Sequence, residues 1–367
     1  MQRSGRQNEL ERRFPRLPQW IDGSVQPTVR QLETFAKAAA VPFGYLLLPT
    51  PPEEQLAIPY FRTVDDQPTH PPNPDLLDTV HQMQRRQEWL REYLVDQEAD
   101  PLPLVRSVTL RDDPIDVAQR IRATLNLEDT WASRYATWED ALRALQDRID
   151  AAGISVVING VVGNNTKRKL DPADFRGFVL VDEYAPLVFV NGADAKAAQM
   201  FTLAHELAHI WLGKSAAFDL RELRPADNDM ELFCNQIAAE FLVSEQRLRQ
   251  LWPTISHNPD PIPVVARQFK VSSIVAARRL LDLSLITKSD FLDFYRARQA
   301  YNQAKKDDKG GGDFYRNQNM RVGKRFGEFV VRATKEGDLL YSEAYRLTGL
   351  YGDTFRRYAQ SAFGVSV

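Results

Sequence analysis

Three short runs interrupt a chain whose apolar residues otherwise recur at helical spacing: ISVVI (154–158), FVLV (178–181) and LVFV (187–190). They are β-branched or aromatic and bounded by Gly, Asn and Asp, so they read as strands. DEYAP joins the last two as a hairpin-type connection. Before the strands, helical periodicity covers 75–98, 115–125 and 138–151; after them it covers 194–212 and 230–242. The fold class that follows is α+β, mainly helical and multidomain, with one small sheet. At 367 residues the chain exceeds a single domain. The composition shifts divide it at 1–50 (short helices, with Thr28 as N-cap of VRQLETFAKAAA), 51–130 (a Pro-rich connector and long helices), 131–250 (the strands and the helices beside them), 251–304 (a helix-turn-helix-like stretch) and 305–367 (a Gly-rich hinge and a final helical segment).

Composition excludes several classes. Lys plus Arg (47) nearly cancels Asp plus Glu (49), so a nucleic-acid contact needs a local patch. One cysteine, Cys234, excludes an internal disulfide framework and reads as a small buried hydrophobe. No apolar run reaches the roughly 18 residues of a membrane span. MQRSGRQNELERRF has no apolar stretch after its arginines, so no secretory leader is read and a cytoplasmic location is expected.

Chemistry concentrates in HELAH (205–209). Histidines four apart on a helix share one face, so His205 and His209 can grip one ion through nitrogens at about 2.0–2.1 Å. Glu206, beside them, can take a proton from metal-bound water. With only five histidines in the chain, chance placement would produce the pattern in roughly half a percent of such sequences. Gly213 ends the helix.

A catalytic zinc site needs a third protein ligand. His70 lies in the Pro-rich connector, and His81 sits among charged neighbours on a helix face; both read as surface residues, and His257 is a further candidate in principle. Glu231 is the preferred ligand, with Glu240 its rival on the same helix. Asn235 shares a face with Glu231 and can hydrogen-bond the distal nitrogen of a ligand histidine, which fixes its tautomer.

TLAHELAHIWLG, preceded by GFVLVDEYAPLVFVNG and followed by ELFCNQIAAEFLV, resembles the ImmA/IrrE-type zinc metallo-endopeptidases. LPQWIDGSVQPTVRQLETFAKAAAVPFGYLLLP is similar to the latter part of an XRE-type helix-turn-helix, without the apolar first helix of a complete one. The resemblance implies a zincin-like peptidase core flanked by helix-turn-helix-like helical domains. It also implies zinc held by His205, His209 and Glu231, with Glu206 as catalytic base. Two positions depart from the family: Val243-Ser244 stands where relatives often carry a Met-Pro-like pair, and Phe233 where they are frequently acidic.

The resemblance further implies site-specific cleavage of a regulatory partner, typically a repressor in stress, mobile-element or toxin–antitoxin control. The alternative is an antitoxin-like binding protein that neutralises a co-encoded toxin, such as a PIN-like nuclease, by contact, and/or autoregulates transcription, with little or no proteolysis. Homo- or hetero-oligomers are compatible with both. An extended substrate is expected to pair with a sheet edge at the end of strand 187–190, at Val190 and Asn191. His257 and Tyr295 are candidates for stabilising the oxyanion. DNA binding through residues 1–50 is open: seven basic residues against four acids give a net charge of only +3. Arg267, Lys270, Arg278 and Arg279 form a second basic group in 264–286.

Overall fold

The computed structural model describes residues 7–39, 41–50, 73–218, 229–304 and 314–367. The Pro-rich segment with His70, the acidic loop 219–228 and the Gly-rich hinge 305–313 lie outside the described residues. Along the sheet, alternate residues face opposite sides. The strands are β1 (Ser155–Asn159), β2 (Val161–Val162), β3 (Asn165–Lys169), β4 (Gly177–Leu180), β5 (Leu187–Asn191) and β6 (Ala216–Phe218). Val156, Ile158, Val179, Val188 and Val190 join one core, whereas Val157, Phe178, Leu180, Leu187 and Phe189 join another. Both faces are covered, which is why these strands read as unbroken apolar runs.

The helices are α1 (Gln7–Arg13), α2 (Leu17–Ile21), α3 (Val29–Ala39), α4 (Pro74–Asp96), α5 (Pro114–Thr124), α6 (Trp138–Ala151), α7 (Lys196–Leu212) and α8 (Asp229–Leu242). They continue as α9 (Glu245–Ile255), α10 (Pro261–Phe269), α11 (Ser273–Asp282), α12 (Lys288–Ala304), α13 (Phe314–Val322), α14 (Lys324–Glu336), α15 (Tyr341–Thr348) and α16 (Asp353–Phe363). The protein is thus mainly helical with a small mixed sheet. At the N-terminus, Thr28 and Gln31 cap α3 reciprocally: the Gln31 amide donates to Thr28 Oγ1 and the Thr28 amide to Gln31 Oε1. Leu10, Leu17, Phe35 and Ala39 form a small core there.

Strand order is β1-β5-β4-β6, with β1 and β5 parallel and the β4–β5 and β4–β6 pairs antiparallel. One face packs on α6 and α7, the other on Leu76, Val80 and Met83 of α4. β1 forms one edge of the sheet, and α13 and α14 pack against it. At the other edge, β6 has no further strand beside it among the described residues. The β2–β3 pair was not legible because NTKRK is polar, and β6 because three residues carry no period.

The expectation of substrate pairing at Val190 and Asn191 is corrected here. β5 is an interior strand: Val190 pairs with Ile158 on one side and Gly177 on the other, and Asn191 is fully buried opposite Asn159. A strand with both ladders filled offers no main-chain groups to a peptide.

Candidate metal centre

α7 carries HELAH through the middle of the largest core. Gln199 to Trp211 is buried on every side, as expected of a helix apolar all round. Gly213, at φ +73°, closes α7 in the left-handed conformation that glycine adopts without strain. α8 returns beside α7 and packs against both it and α5 through Phe233, Cys234, Ile237, Ala238 and Phe241. This pairing sets Glu231 opposite the two histidines.

His205 Nε2 lies 3.0 Å from His209 Nε2, 3.1 Å from Glu231 Oε2, and Glu231 Oε1 lies 3.4 Å from His209 Nε2. A tetrahedral ion with donors at about 2.0–2.1 Å has donor–donor edges of about 3.3–3.4 Å, so the three side chains fit a divalent cation. They are also the one group of three or more His, Cys, Asp or Glu residues, among the described residues, placed to hold a metal. Asn235 Oδ1 lies 3.0 Å from His205 Nδ1. With Nδ1 donating to that amide oxygen, Nε2 keeps its lone pair directed at the shared point.

The electrostatics suit the binding of a cation. Burial pushes the Glu231 carboxyl up, but hydrogen bonds and charge from His205 and His209 outweigh it and hold the group well below the usual carboxylate range. Burial lowers His205 against the pull of Glu231, which favours the neutral, ligating imidazole. The Glu206 carboxyl is raised well above its ordinary range by burial and by the Glu231 charge. Both Glu206 oxygens and His209 Nδ1 are buried without a hydrogen-bond partner. Such orphaned groups are rare in a protein interior, and these fit a site that meets an ion and a water molecule.

Glu240 stands elsewhere. It forms an ion pair with Arg279, and its carboxylate accepts the Glu245 amide at 3.1 Å. Arg122 donates to the Glu240 and Phe241 carbonyls at 2.7 and 3.2 Å, and its Nε lies 3.0 Å from Asp129. Glu240 therefore ties α5, α8 and α11 together instead of joining the histidines. The basic group in 264–286 is similarly engaged: Arg278 pairs with Asp282, and buried Lys270 bonds the Arg267 carbonyl and lies over the Trp138 ring. His257 is exposed at the end of α9, and Tyr295 stacks on Phe291 within α12. His81 is half-buried on α4.

Two residues escaped the sequence reading. Gly177 begins β4 where it crosses α7: a Cβ there would lie 2.5 Å from Thr202 Cγ2, 2.8 Å from the Phe189 carbonyl oxygen and 3.3 Å from Glu206 Oε1. Thr202, one turn before Glu206, is its neighbour. A glycine opening an apolar strand was the available signal, since it marks close approach by another element.

No helix among the described residues is long and apolar enough to cross a membrane. No curated protein matches the chain. Residues 322–361, which contain α14, α15 and most of α16, match a domain of unknown function, DUF8813. Residues 149–281, which contain β1 to β6 together with the His205, His209 and Glu231 cluster, match the family model of the IrrE N-terminal-like domain, a peptidase family.

Proposed function

We propose that the protein is a zinc-dependent endopeptidase of the ImmA/IrrE type that cleaves a regulatory protein partner in the cytoplasm. The observation that carries this reading is the convergence of three side chains, with two imidazole nitrogens and the two oxygens of one carboxylate in contact at 3.0–3.4 Å, beside a second carboxylate with no partner of its own. His205, His209 and Glu231 would hold the ion, and Asn235 would orient His205. When bound, zinc supplies Lewis-acid activation of water and of the scissile carbonyl. Glu206 takes the proton of the attacking water and delivers it to the leaving amine. Its buried setting raises the carboxyl's affinity for that proton, which suits a group that must both accept and return it.

Substrate is assigned to the β6 edge in place of β5. Phe218 of β6 is in register with Gly177, and Gly177 lies against Glu206, so a peptide laid along β6 runs alongside the part of the sheet that borders the reacting carboxylate. The N-terminal helices are read as a docking unit for the partner: Ile21 and Val29 are exposed around the α2–α3 turn, and the segment is only mildly basic. The antitoxin alternative gains nothing from a centre whose proton acceptor is intact.

The test is Glu206→Gln. Wild type and variant are loaded with zinc and incubated with extract of the source cells, and new protein N-termini are read by mass spectrometry. Wild type should yield a small set of new termini; the variant should keep about one zinc per chain and lose at least about 100-fold in cleavage rate. Equal cleavage by a zinc-loaded variant, or a wild type that binds no zinc, overturns the reading.

A further inference from the structure

Threonines inside helices usually return the hydroxyl to the carbonyl one turn back. This chain follows that habit at Thr34, Thr79, Thr124, Thr334 and Thr348, each bonded four residues back at 2.6–2.9 Å, and at Thr254, bonded three residues back at 2.7 Å. Thr202 breaks it. It sits inside α7 with Ala198 four residues behind, is fully buried, and its Oγ1 has no partner.

The sheet supplies the cause. Thr202 turns its methyl toward β4, where Cγ2 occupies the space left by the missing side chain of Gly177. With the methyl pinned there, the hydroxyl is held off the helix carbonyl. Glu206 is four residues further along the same face, and helical side chains lean toward the N-terminus, so its carboxylate projects over the Thr202 turn. Glu206 Oε1 borders the same Gly177 space, 3.3 Å from the point where a Cβ would stand. A buried hydroxyl and a buried carboxylate, neither with a hydrogen-bond partner, thus stand one turn apart on α7, with Thr202 Cγ2 and Glu206 Oε1 both bordering the Gly177 space.

We propose that Thr202 is a positioning residue for Glu206: its hydroxyl, unpartnered in the resting fold, donates to one carboxylate oxygen when a ligand engages the other, and so aims that other oxygen at the point shared by His205, His209 and Glu231. This rests on the reading of Glu206 as the proton acceptor. The hydroxyl is withheld from its own helix for this purpose, so the resting fold gives up stability that a structural threonine would have kept.

Thr202→Val keeps the shape and deletes the hydroxyl, and Thr202→Ser keeps the hydroxyl. Three readouts apply: thermal unfolding of the metal-free protein, zinc affinity, and binding of acetohydroxamate, whose hydroxyl proton needs an acceptor at Glu206, to the zinc-loaded protein. Thr202→Val should melt about 2 °C higher than wild type. It should bind zinc unchanged and acetohydroxamate about tenfold more weakly, with Thr202→Ser within about threefold of wild type. A Thr202→Val variant that melts lower, or that binds acetohydroxamate as wild type does, overturns the assignment. Wild type that takes up zinc and ignores acetohydroxamate breaks the peptidase reading instead. The metal-free melt still judges Thr202 in that case, because it requires neither ion nor substrate.

Discussion

Glu231 and Glu240 ride the same helix nine residues apart, which at about 100° per residue sets them on opposite faces. Both are buried, yet their surroundings differ in kind. Glu240 meets Arg279, Arg122 and a backbone amide, so its charge is answered by permanent protein groups. Glu231 meets two imidazoles, of which burial favours the neutral form of His205, beside a second carboxylate with no partner. A finished network fixes the fold, and an unfinished one keeps room for an ion. The difference teaches that burial of an acid says little until its partners are named.

The largest effect should come from breaking the finished side. Glu240→Ala removes the carboxylate that answers Arg279 inside the α5–α8–α11 junction, and removal of one partner from a buried pair costs about 3–5 kcal/mol. Chemical denaturation should show that loss, while zinc affinity of the folded fraction stays as in wild type. If Glu240→Ala weakens zinc binding and leaves stability intact, the two faces of α8 are not the separate devices described.

Asp150 sharpens the contrast, since it has neither an ion cage nor a paired guanidinium. Its Oδ1 accepts the Val156 amide at 3.3 Å and its Oδ2 has no partner. Burial pushes its carboxyl up to about 7, against the Val156 hydrogen bond and the more distant cations Lys324 and Arg325. The folded protein therefore holds a proton that the unfolded chain releases near pH 4. Stability falls as pH rises from about 4 to about 7 and levels off above, by roughly 4 kcal/mol for a shift of this size. Asp150→Asn should flatten that slope and leave the protein more stable than wild type at pH 8, as read by denaturant midpoints across the range. An unchanged slope would mean that Asp150 is ionised and paired after all.

On the unfinished side, Asn235→Ala removes the acceptor that orients His205. Outer partners of metal-bound histidines are worth about 10–100-fold in affinity, so zinc should bind weaker by that factor with little change in the metal-free melt. Calorimetric titration checks it; undiminished affinity would show that packing alone holds the imidazole.

The legibility of these features follows the range of the interactions behind them. His205, His209 and Glu206 are set by helical spacing within five residues, and Asn235 by one turn from Glu231. The strands were legible because both sheet faces are buried, which leaves runs of Val, Ile and Phe. Strand order was not, and the error at Val190 came from there: the β4–β5 hairpin is local, but the other side of β5 is taken by β1, from before the hairpin. Glu240 was ambiguous because its partner Arg122 lies 118 residues earlier. Gly177 and Thr202 acquire meaning only when β4 is laid on α7.

Adjacent arginines give the smallest and most pointed test. Arg278 and Arg279 look alike in sequence, yet one step of about 100° around α11 separates their environments. Arg278 pairs with Asp282 four residues on, and both side chains are well exposed. Arg279 reaches inward, donating to the Val243 carbonyl at 3.0 Å and pairing with Glu240. An exposed pair of this spacing contributes about 0.3–0.5 kcal/mol, screened further by salt, so Arg278→Ala should leave the denaturation midpoint nearly unmoved. Arg279→Ala should instead approach the cost of Glu240→Ala, and the double variant should cost less than the sum because each removal already orphans the other. Equal effects from the two arginines would mean that α11 is rotated from the position in which it clasps α8.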